Sequence, residues 1–242
     1  MSTKLLYLEN MHDLEADAYV EHVDQQEGRT IVYLDQTILY PQGGGQPYDT
    51  GVIQNEDTKF IVEEVRFIDG EVLHIGHFEG SSRSLMQGED VHIVVDAERR
   101  KLNARLHSAG HLVDMAVSQF SPEWVPAKGY HFPDSPYVEY EGQLDAQNQD
   151  ELASRIEKLA NGYIKQDLQV SCRFVERDEL ERLCRHVPAN LPTNKPIRVV
   201  QFKNFAVPCG GTHVKRLGDI NVLSITKLKM KGGNVRVGYN IT

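Results

Sequence analysis

Apolar and polar residues alternate in four stretches of the first hundred residues, as they do in half-buried β-strands. These stretches are rich in β-branched and aromatic residues and cover residues 29–40, 59–69, 71–78 and 90–96. Short turn signals separate them, at residues 26–28, 69–70 and 80–82. Several short strands at this spacing predict a small β-barrel.

The period of the apolar residues changes near residue 96, from that of a strand to that of a helix. The apolar residues then fall at helical spacing, at Leu102, Leu106, Ala109, Val113, Ala116 and Phe120. Asp96 is placed to cap this helix, and Ser121-Pro122 is placed to end it. A second helix is predicted over residues 149–167, where Asn148 and Glu151 have the spacing of a capping box.

The C-terminal part of the chain returns to strands. Strands are predicted at residues 169–175, 197–202, 221–229 and 234–241, with a short helix over residues 177–185. The sequence KGGN between the last two strands predicts a hairpin turn. We therefore predict an α+β fold, with a small N-terminal β-barrel in residues 1–90 and a mixed α/β zinc-binding domain in residues 91–242.

The composition is that of a globular protein, with 40% hydrophobic and 25% charged residues among 242. No apolar run is long enough to cross a membrane, and the N-terminus has no signal-peptide pattern. The three cysteines are an odd number without a secretion signal, which argues against a disulfide framework. We expect a cytoplasmic protein that does not bind membranes.

The net charge of −9 means that any surface for nucleic acid must be local, because such surfaces are basic. Two basic clusters stand out, one at Arg99, Arg100, Lys101 and Arg105 and the other at Lys227, Lys229, Lys231 and Arg236. Judged by charge alone, a solvated face of a helix or strand is the preferred interpretation of each cluster.

Two short segments that lie far apart in the chain carry histidine and cysteine residues, which are the usual ligands of zinc. The segment HSAGH places His107 and His111 one helical turn apart on the same face. The segment CGGTH spaces Cys209 and His213 around two glycines, which allow a sharp turn. One thiolate and three imidazoles suit a tetrahedral zinc ion, so we predict one zinc per chain. Four protein ligands are usual for structural zinc, and a catalytic role requires an open position, so both roles stay open.

A glycine-rich segment, YPQGGGQP, follows a predicted strand at residues 40–47. It is either a tight, bulged loop or a place where the backbone approaches a ligand, with Gln46 as a hydrogen-bonding group at the rim. No Gly-Lys-Ser or Gly-Lys-Thr follows, so the segment is not a phosphate-binding P-loop. We expect no dinucleotide cofactor.

Three segments resemble, in order, the signature segments of the alanyl-tRNA editing domain: YPQGGGQPYDTG at 40–51, HSAGHLV at 107–113 and CGGTHV at 209–214. The sequences KGYHFPDSPYVEY and KGGNVRVG also resemble this family. The chain is similar to the free-standing alanyl-tRNA editing proteins (AlaX type) in their longer form. The editing domain of threonyl-tRNA synthetases shares the zinc segments, but the three-glycine loop resembles the alanyl branch.

The resemblance implies a zinc-dependent hydrolase that edits mischarged tRNA(Ala), with the acceptor end of the tRNA as its partner. It implies Ser-tRNA(Ala) as substrate, with Gly-tRNA(Ala) as an alternative. Six residues match the family's site: Gln46 and, more weakly, Thr50 as substrate contacts, and His107, His111, Cys209 and His213 as metal ligands. The basic clusters would then contact phosphates near the acceptor end.

The family often has Thr where this chain has Ser108 and Gly110, which leaves the contribution of these two residues open. Three other functions are compatible with the sequence. The chain could be a zinc-stabilised tRNA-binding module without catalysis, a deacylase for another mischarged tRNA, or an enzyme with Cys209 as nucleophile. The sequence does not fix the oligomeric state.

Overall fold

The computed structural model describes residues 2–26, 28–80, 83–145 and 147–242. The chain forms two compact units, Met1–Leu102 and Asn103–Thr242. The boundary predicted near residue 90 therefore precedes the observed division by about a dozen residues. Two of the predicted turns include Glu27, Ser81 and Ser82, which lie outside the described residues.

The first unit is built almost entirely of strands: β1 (Lys4–Leu5), β2 (Glu15–Gln26), β3 (Arg29–Leu34), β4 (Gln36–Thr37), β5 (Gly51–Gln54), β6 (Lys59–Ile68), β7 (Glu71–Phe78) and β8 (Asp90–Val95). Six of them close into a barrel in the order β2-β3-β7-β6-β5-β8, which confirms the predicted small barrel. Strand β1 pairs with β4 in parallel. A short 3₁₀ helix, Leu6–Leu8, follows β1. The stretch predicted as one strand over 29–40 is thus divided between β3 and β4.

Glycines let the strands of the barrel approach closely. A Cβ on Gly76 of β7 would lie 1.8 Å from the carbonyl oxygen of Ile61 in β6. A Cβ on Gly51 of β5 would lie 2.2 Å from that of Val94 in β8. Any larger residue at either position would push neighbouring strands apart. Glycine at these two positions therefore allows the strands of the barrel to pair.

One buried histidine of the barrel gives the fold a pH dependence. His74 is fully buried, with Nδ1 2.9 Å from the carbonyl oxygen of Val32 and Nε2 2.9 Å from Thr37 Oγ1. Burial lowers the pKa of His74 from 6.5 to about 4. The unfolded chain therefore binds more protons than the folded chain between those two pKa values, and stability falls as the pH falls through this window.

We expect His74→Gln to lose less stability than the wild type on acidification, because glutamine cannot take up the proton. Between pH 7 and pH 4.5 the wild type should lose roughly 2–3 kcal/mol more free energy of unfolding than the variant. Urea unfolding of both proteins at the two pH values measures this difference. Parallel losses in the two proteins would contradict the assignment.

The second unit combines helices with two sheets. Helix α1 (Ala97–Phe120) begins in the first unit and continues into the second. The remaining elements are β9 (Val125–Tyr130), β10 (Tyr137–Glu141), α2 (Gln149–Lys165), β11 (Val170–Val175), α3 (Arg177–Leu183), β12 (Ile197–Phe202), β13 (Phe205–Pro208), a 3₁₀ helix (Leu217–Ile220), β14 (Leu223–Lys231) and β15 (Asn234–Ile241). The sheets run β14-β15-β10-β9 and β11-β12-β13. The chain is therefore an α+β protein, as predicted.

The core of this unit lies between the helices and the larger sheet. Most of the predicted apolar face of α1 is buried there, whereas Leu102 at its start is 37% exposed. Asp96 caps the helix as predicted, because its Oδ1 accepts a hydrogen bond from the Arg99 N–H at 3.1 Å. The capping box predicted at Asn148 was wrong: its side chain makes no cap bond and donates instead to Asp145.

The predicted hairpin between β14 and β15 is confirmed. Lys231 pairs with Asn234, and Gly232 and Gly233 have φ values of 60° and 87°. A two-residue turn with both φ values positive matches the twist of the strands, and glycine adopts it without strain.

Among the described residues, no helix has the length and apolar character that crossing a bilayer requires.

Candidate metal centre and glycine-rich loop

The glycine-rich loop of the first unit is a tight hairpin held by its own residues. Gly43 and Gln46 exchange backbone hydrogen bonds around Gly44 and Gly45, whose φ values are 53° and 79°. Two of the three consecutive glycines are therefore explained by the turn itself. The hydroxyl of Tyr40 donates to the carbonyl of Gly43 at 3.0 Å and ties the loop to its base.

The loop is anchored by a buried ion pair. Asp49 Oδ2 accepts hydrogen bonds from the Tyr40 N–H at 2.7 Å and from Arg100 Nε at 2.9 Å. Arg100 also donates to the carbonyls of Met11 and Ile38. Because both members of the pair are buried, it fixes where the glycine-rich loop leaves the barrel.

The two predicted substrate contacts, Gln46 and Thr50, both lie in the first unit. Gln46 is 0% exposed, so the prediction that it lies at the rim of the loop was wrong, and its contact with substrate stays a prediction. The Thr50 hydroxyl donates to Asp96 Oδ2 at 3.3 Å, and the Thr50 carbonyl accepts from the Asp96 N–H at 2.8 Å. Thr50 thus supports the residue that caps α1, and its contact with substrate stays a prediction.

The four predicted metal ligands come together in the second unit. His107 and His111 lie one turn apart on α1, with ring centroids 4.9 Å apart. Cys209 Sγ lies 3.5 Å from His107 Nε2 and 3.4 Å from His213 Nε2. One donor atom from each of the four residues lies within 4.8 Å of the other three. Three imidazole nitrogens and one sulfur at this spacing could hold a metal ion.

The donor atoms are chemically suited to a metal. His111 Nε2 is buried and has no hydrogen-bond partner among the described residues. A buried ring nitrogen is costly to leave unpaired, and a metal ion would give it a partner. Burial lowers the pKa of His111 to about 4, and burial followed by the charge of His213 lowers that of His107 well below its ordinary value. Neutral imidazoles keep the lone pair that a metal ligand needs.

Hydrogen bonds from Arg198 hold the loop that carries Cys209. The guanidinium of Arg198, on β12, donates to the carbonyls of Cys209 at 3.0 Å and Gly211 at 2.9 Å. The N–H of Gly211 in turn lies 3.3 Å from Cys209 Sγ. Burial raises the pKa of the Cys209 thiol to about 11. A thiol in this state is a poor nucleophile at neutral pH, whereas binding to a metal would deprotonate it.

Ser108 positions one of the histidines. Its Oγ lies 3.1 Å from His213 Nδ1 and accepts a hydrogen bond from the Val214 N–H at 3.1 Å. If Nε2 of His213 held a metal, Nδ1 would carry the ring proton and would donate it to Ser108 Oγ. Such partners fix the tautomer and the orientation of a metal-binding histidine.

We expect Ser108→Ala to weaken zinc binding about 10-fold, because His213 loses this partner. Ser108→Thr keeps the hydroxyl and serves as the control. Competition with a chromophoric chelator measures both affinities. Equal zinc affinity in the wild type and the alanine variant would show that Ser108 does not orient the ligand.

Two family models match parts of this chain. A model described as tRNA synthetases class II (A) matches residues 4–99, and one described as the threonyl and alanyl tRNA synthetase second additional domain matches residues 197–237. The chain is 31% identical to the alanyl-tRNA editing protein AlaX-M of Methanosarcina barkeri, over 98% of both chains. The chain belongs to the alanyl-tRNA editing protein family.

Longer relatives contain the same region. The alanyl-tRNA editing protein AlaX-L of Pyrococcus horikoshii is 30% identical over 95% of this chain and 55% of its own length. The alanine–tRNA ligase of Methanobrevibacter smithii is 31% identical over 98% of this chain and 27% of its own length. This member of the editing family thus spans about half of that AlaX-L protein and about a quarter of that ligase.

A fourth histidine lies beside the candidate ligands in this editing-family protein. His131 is buried, and its ring stacks on that of His107 with centroids 4.6 Å apart. The hydroxyl of Tyr239 donates to the carbonyl of Leu106 and lies 2.6 Å from His131 Nδ1, so that Nδ1 carries the proton. Sequence reasoning missed His131, because a single histidine in the connection between β9 and β10 has no ligand-type spacing. The resemblance of the KGYHF segment was its only signal.

The position of His131 explains why residue 110 is glycine. A Cβ on Gly110 would lie 2.3 Å from His131 Cε1 and 2.9 Å from the hydroxyl of Tyr239.

We expect Gly110→Ala to lower the free energy of unfolding by about 1–3 kcal/mol through overpacking. Gly162→Ala on α2 is the control: its Cβ would have no atom within 4 Å, so helix propensity should stabilise it by up to about 1 kcal/mol. Thermal unfolding compares the two, and a shift of the same sign in both would contradict this packing.

The three arginines of the first basic cluster are engaged in hydrogen bonds within the protein, and only Lys101 is exposed. Arg100 is 3% exposed and paired with Asp49, and Arg99 donates to the carbonyl of Tyr48. Arg105 donates to the carbonyls of Asp219, Ile220 and Thr242. The prediction that this cluster contacts phosphates was wrong for Arg100, since its guanidinium is committed to the interior of the first unit.

Proposed function

We propose that this protein is a zinc-dependent hydrolase that removes serine from mischarged Ser-tRNA(Ala), with Gly-tRNA(Ala) as the alternative substrate. The observation that carries the proposal is the convergence of four ligand-type donor atoms within 4.8 Å of one another in a chain of the alanyl-tRNA editing family. The proposed partner is the acceptor end of tRNA(Ala), met in the cytoplasm.

His107, His111, Cys209 and His213 would hold one zinc ion. When bound, zinc would supply Lewis acidity to a water molecule or to the ester carbonyl. Ser108 would keep His213 in the tautomer whose Nε2 faces the metal, and Arg198 would keep the Cys209 loop in place. His131 would close one side of the site, since its ring covers His107.

Selection of serine requires a contact with its hydroxyl group. A site that hydrogen-bonds this hydroxyl leaves its own polar group unpaired when alanine is present, and correct Ala-tRNA(Ala) is then spared. We assign this role to Gln46, with Thr50 as the second candidate.

The four-residue cluster contains no carboxylate that could act as a general base. We therefore propose that a ribose hydroxyl of the substrate takes part in proton transfer. Cys209 as nucleophile is disfavoured, because burial raises the pKa of its thiol to about 11.

The deciding experiment is a deacylation assay on purified protein with Ser-, Gly- and Ala-tRNA(Ala), run with and without a chelator. We expect release of serine, sparing of Ala-tRNA(Ala) and loss of activity with the chelator that added zinc restores. Binding of tRNA without release of any amino acid would instead favour a zinc-stabilised tRNA-binding module. Faster release from a different mischarged tRNA would favour a deacylase of another specificity.

A further inference from the structure

The second basic cluster lies on an open sheet face, which we call the lysine face. Lys227, Lys229 and Lys231 alternate along β14 with Leu228, which is buried on the other side of the sheet. None of the three lysines forms an ion pair with a residue in the described part of the chain. Lys227 is the largest cause of a lowered pKa at Lys229, as expected where positive charges crowd together.

Three stacked aromatic side chains, Tyr130, Phe132 and Tyr137, lie beside the lysines and are called the aromatic wall below. The rings of Phe132 and Tyr130 stack with centroids 4.4 Å apart, and those of Tyr130 and Tyr137 are 5.2 Å apart. The guanidinium of Arg236 lies over Tyr137 at 3.7 Å and is held there by Glu139. The Arg236–Glu139 pair is neutral as a unit, so the three lysines set the charge of the face.

A cavity of about 360 Å³ opens between the wall and the lysines. Pro133, Pro136 and Tyr137 give it apolar sides, and Lys227 and Lys229 give it a cationic side, with Asp134 as its one acidic residue among the described lining residues. Gly238 pairs with Tyr137 on one side and with Lys227 on the other, and without a side chain it leaves this space open. The volume lies at the lower end of the range for ligand pockets, about 300–1,000 Å³.

We propose that the lysine face and its cavity bind the RNA strand of the substrate, one nucleotide lying against the aromatic wall and the neighbouring phosphates lying on the lysines. The proposal rests on the hydrolase function proposed above. A cationic row beside aromatic side chains is the arrangement that single-stranded nucleic acid requires, because phosphates need positive charge and bases need flat apolar surface. The charge is local, in a chain whose net charge is −9.

The face lies on the opposite side of the sheet from the candidate ligands. Along β15, Val235, Val237 and Tyr239 are buried, whereas Arg236 and Gly238 face the cavity. The connection between β9 and β10 contributes to both sides of the sheet. Its His131 stacks on His107, and its Pro133 and Pro136 line the cavity. The nucleotides held here are therefore assigned to the acceptor strand before the terminal aminoacyl-adenosine.

The test uses uncharged, fluorescein-labelled tRNA(Ala), so that binding is measured without hydrolysis. We expect Lys227→Ala, Lys229→Ala and Lys231→Ala combined to weaken binding at least about 10-fold. The slope of log affinity against log salt should fall by about 2–3, because three phosphate contacts are lost at 0.7–0.9 each. The matched control removes three exposed lysines elsewhere in the second unit, Lys158, Lys165 and Lys195, and should bind as the wild type does.

A second pair of variants tests the wall. Tyr137→Ala should weaken tRNA binding severalfold, whereas Tyr137→Phe keeps the ring and should retain it. With Ser-tRNA(Ala), the triple lysine variant should show a raised KM, an unchanged kcat and full zinc content. Hydrolysis of a small seryl ester, which lacks the RNA strand, should be equal in the wild type and the variant.

Wild-type affinity and salt slope in the triple lysine variant would overturn this proposal. A change in sedimentation coefficient without a change in tRNA affinity would overturn it in favour of contact between copies of the chain. Saturation of the face by 5′-AMP as tightly as by tRNA would overturn it in favour of a mononucleotide site. The hydrolase proposal fails separately, when wild-type protein binds tRNA(Ala) but leaves Ser-tRNA(Ala) intact.

Discussion

His111→Ala should lower the rate of Ser-tRNA(Ala) deacylation roughly 1,000-fold, because a metal ion at a reacting ester is worth several kcal/mol. His111 contributes a buried Nε2 that has no other partner among the described residues, so its loss opens the ligand set directly. The variant should also lose stoichiometric zinc. Single-turnover kinetics and metal analysis of the same sample measure the two effects together.

His186→Ala is the control for this variant, because His186 is an exposed histidine of the same unit. It should keep both zinc and activity. Circular dichroism and thermal unfolding establish that the His111 variant is folded. A folded His111→Ala protein that keeps one zinc per chain would rule out this histidine as a ligand, whatever its activity.

Asp49→Ala should lower the free energy of unfolding by about 3–5 kcal/mol, the usual cost of removing one partner of a buried ion pair. The substitution leaves the Arg100 guanidinium buried without its carboxylate and removes the acceptor for the Tyr40 N–H. The glycine-rich loop would lose its anchor at the same time. Urea unfolding monitored by circular dichroism gives the change in free energy.

The exposed pair between Lys59 and Glu79 provides the matched control in the same unit. Glu79→Ala should cost less than about 1 kcal/mol, since solvent screens exposed ion pairs. A double-mutant cycle of Asp49→Ala with Arg100→Met isolates the coupling between the buried partners. A small cost for Asp49→Ala, similar to that for Glu79→Ala, would mean that the buried pair does not anchor the fold.

The most periodic parts of the sequence predicted the structure best. Helix α1 begins after Asp96 and ends at Phe120 as expected, because its apolar residues recur at helical spacing between a cap and a proline. His107 and His111 could be named for the same reason, because a helix fixes their geometry, whereas Cys209 and His213 were named from the turn that their two intervening glycines allow. The hairpin between β14 and β15 was predictable because its turn requires two residues with positive φ, and the sequence has two glycines there.

The remaining features depend on contacts between residues far apart in the chain. Strand β2 was missed because only Ala18 and Val20 in it are buried, so its apolar alternation is weak. It is a strand because β3 and β8 supply its hydrogen bonds. The pairing of Asp49 with Arg100 was equally beyond local pattern, since no spacing rule relates residues 51 positions apart.

The contact between Gly110 and His131 restricts how related sequences can diverge. Any side chain at 110 occupies the space of the imidazole at 131, so residue 110 cannot be enlarged while His131 keeps its place. Homologues with threonine at 110 should therefore carry a smaller residue at 131, or a displaced connection between β9 and β10. In an alignment the two positions would vary as a linked pair, and exchanging both residues together should transfer one family member's packing into another.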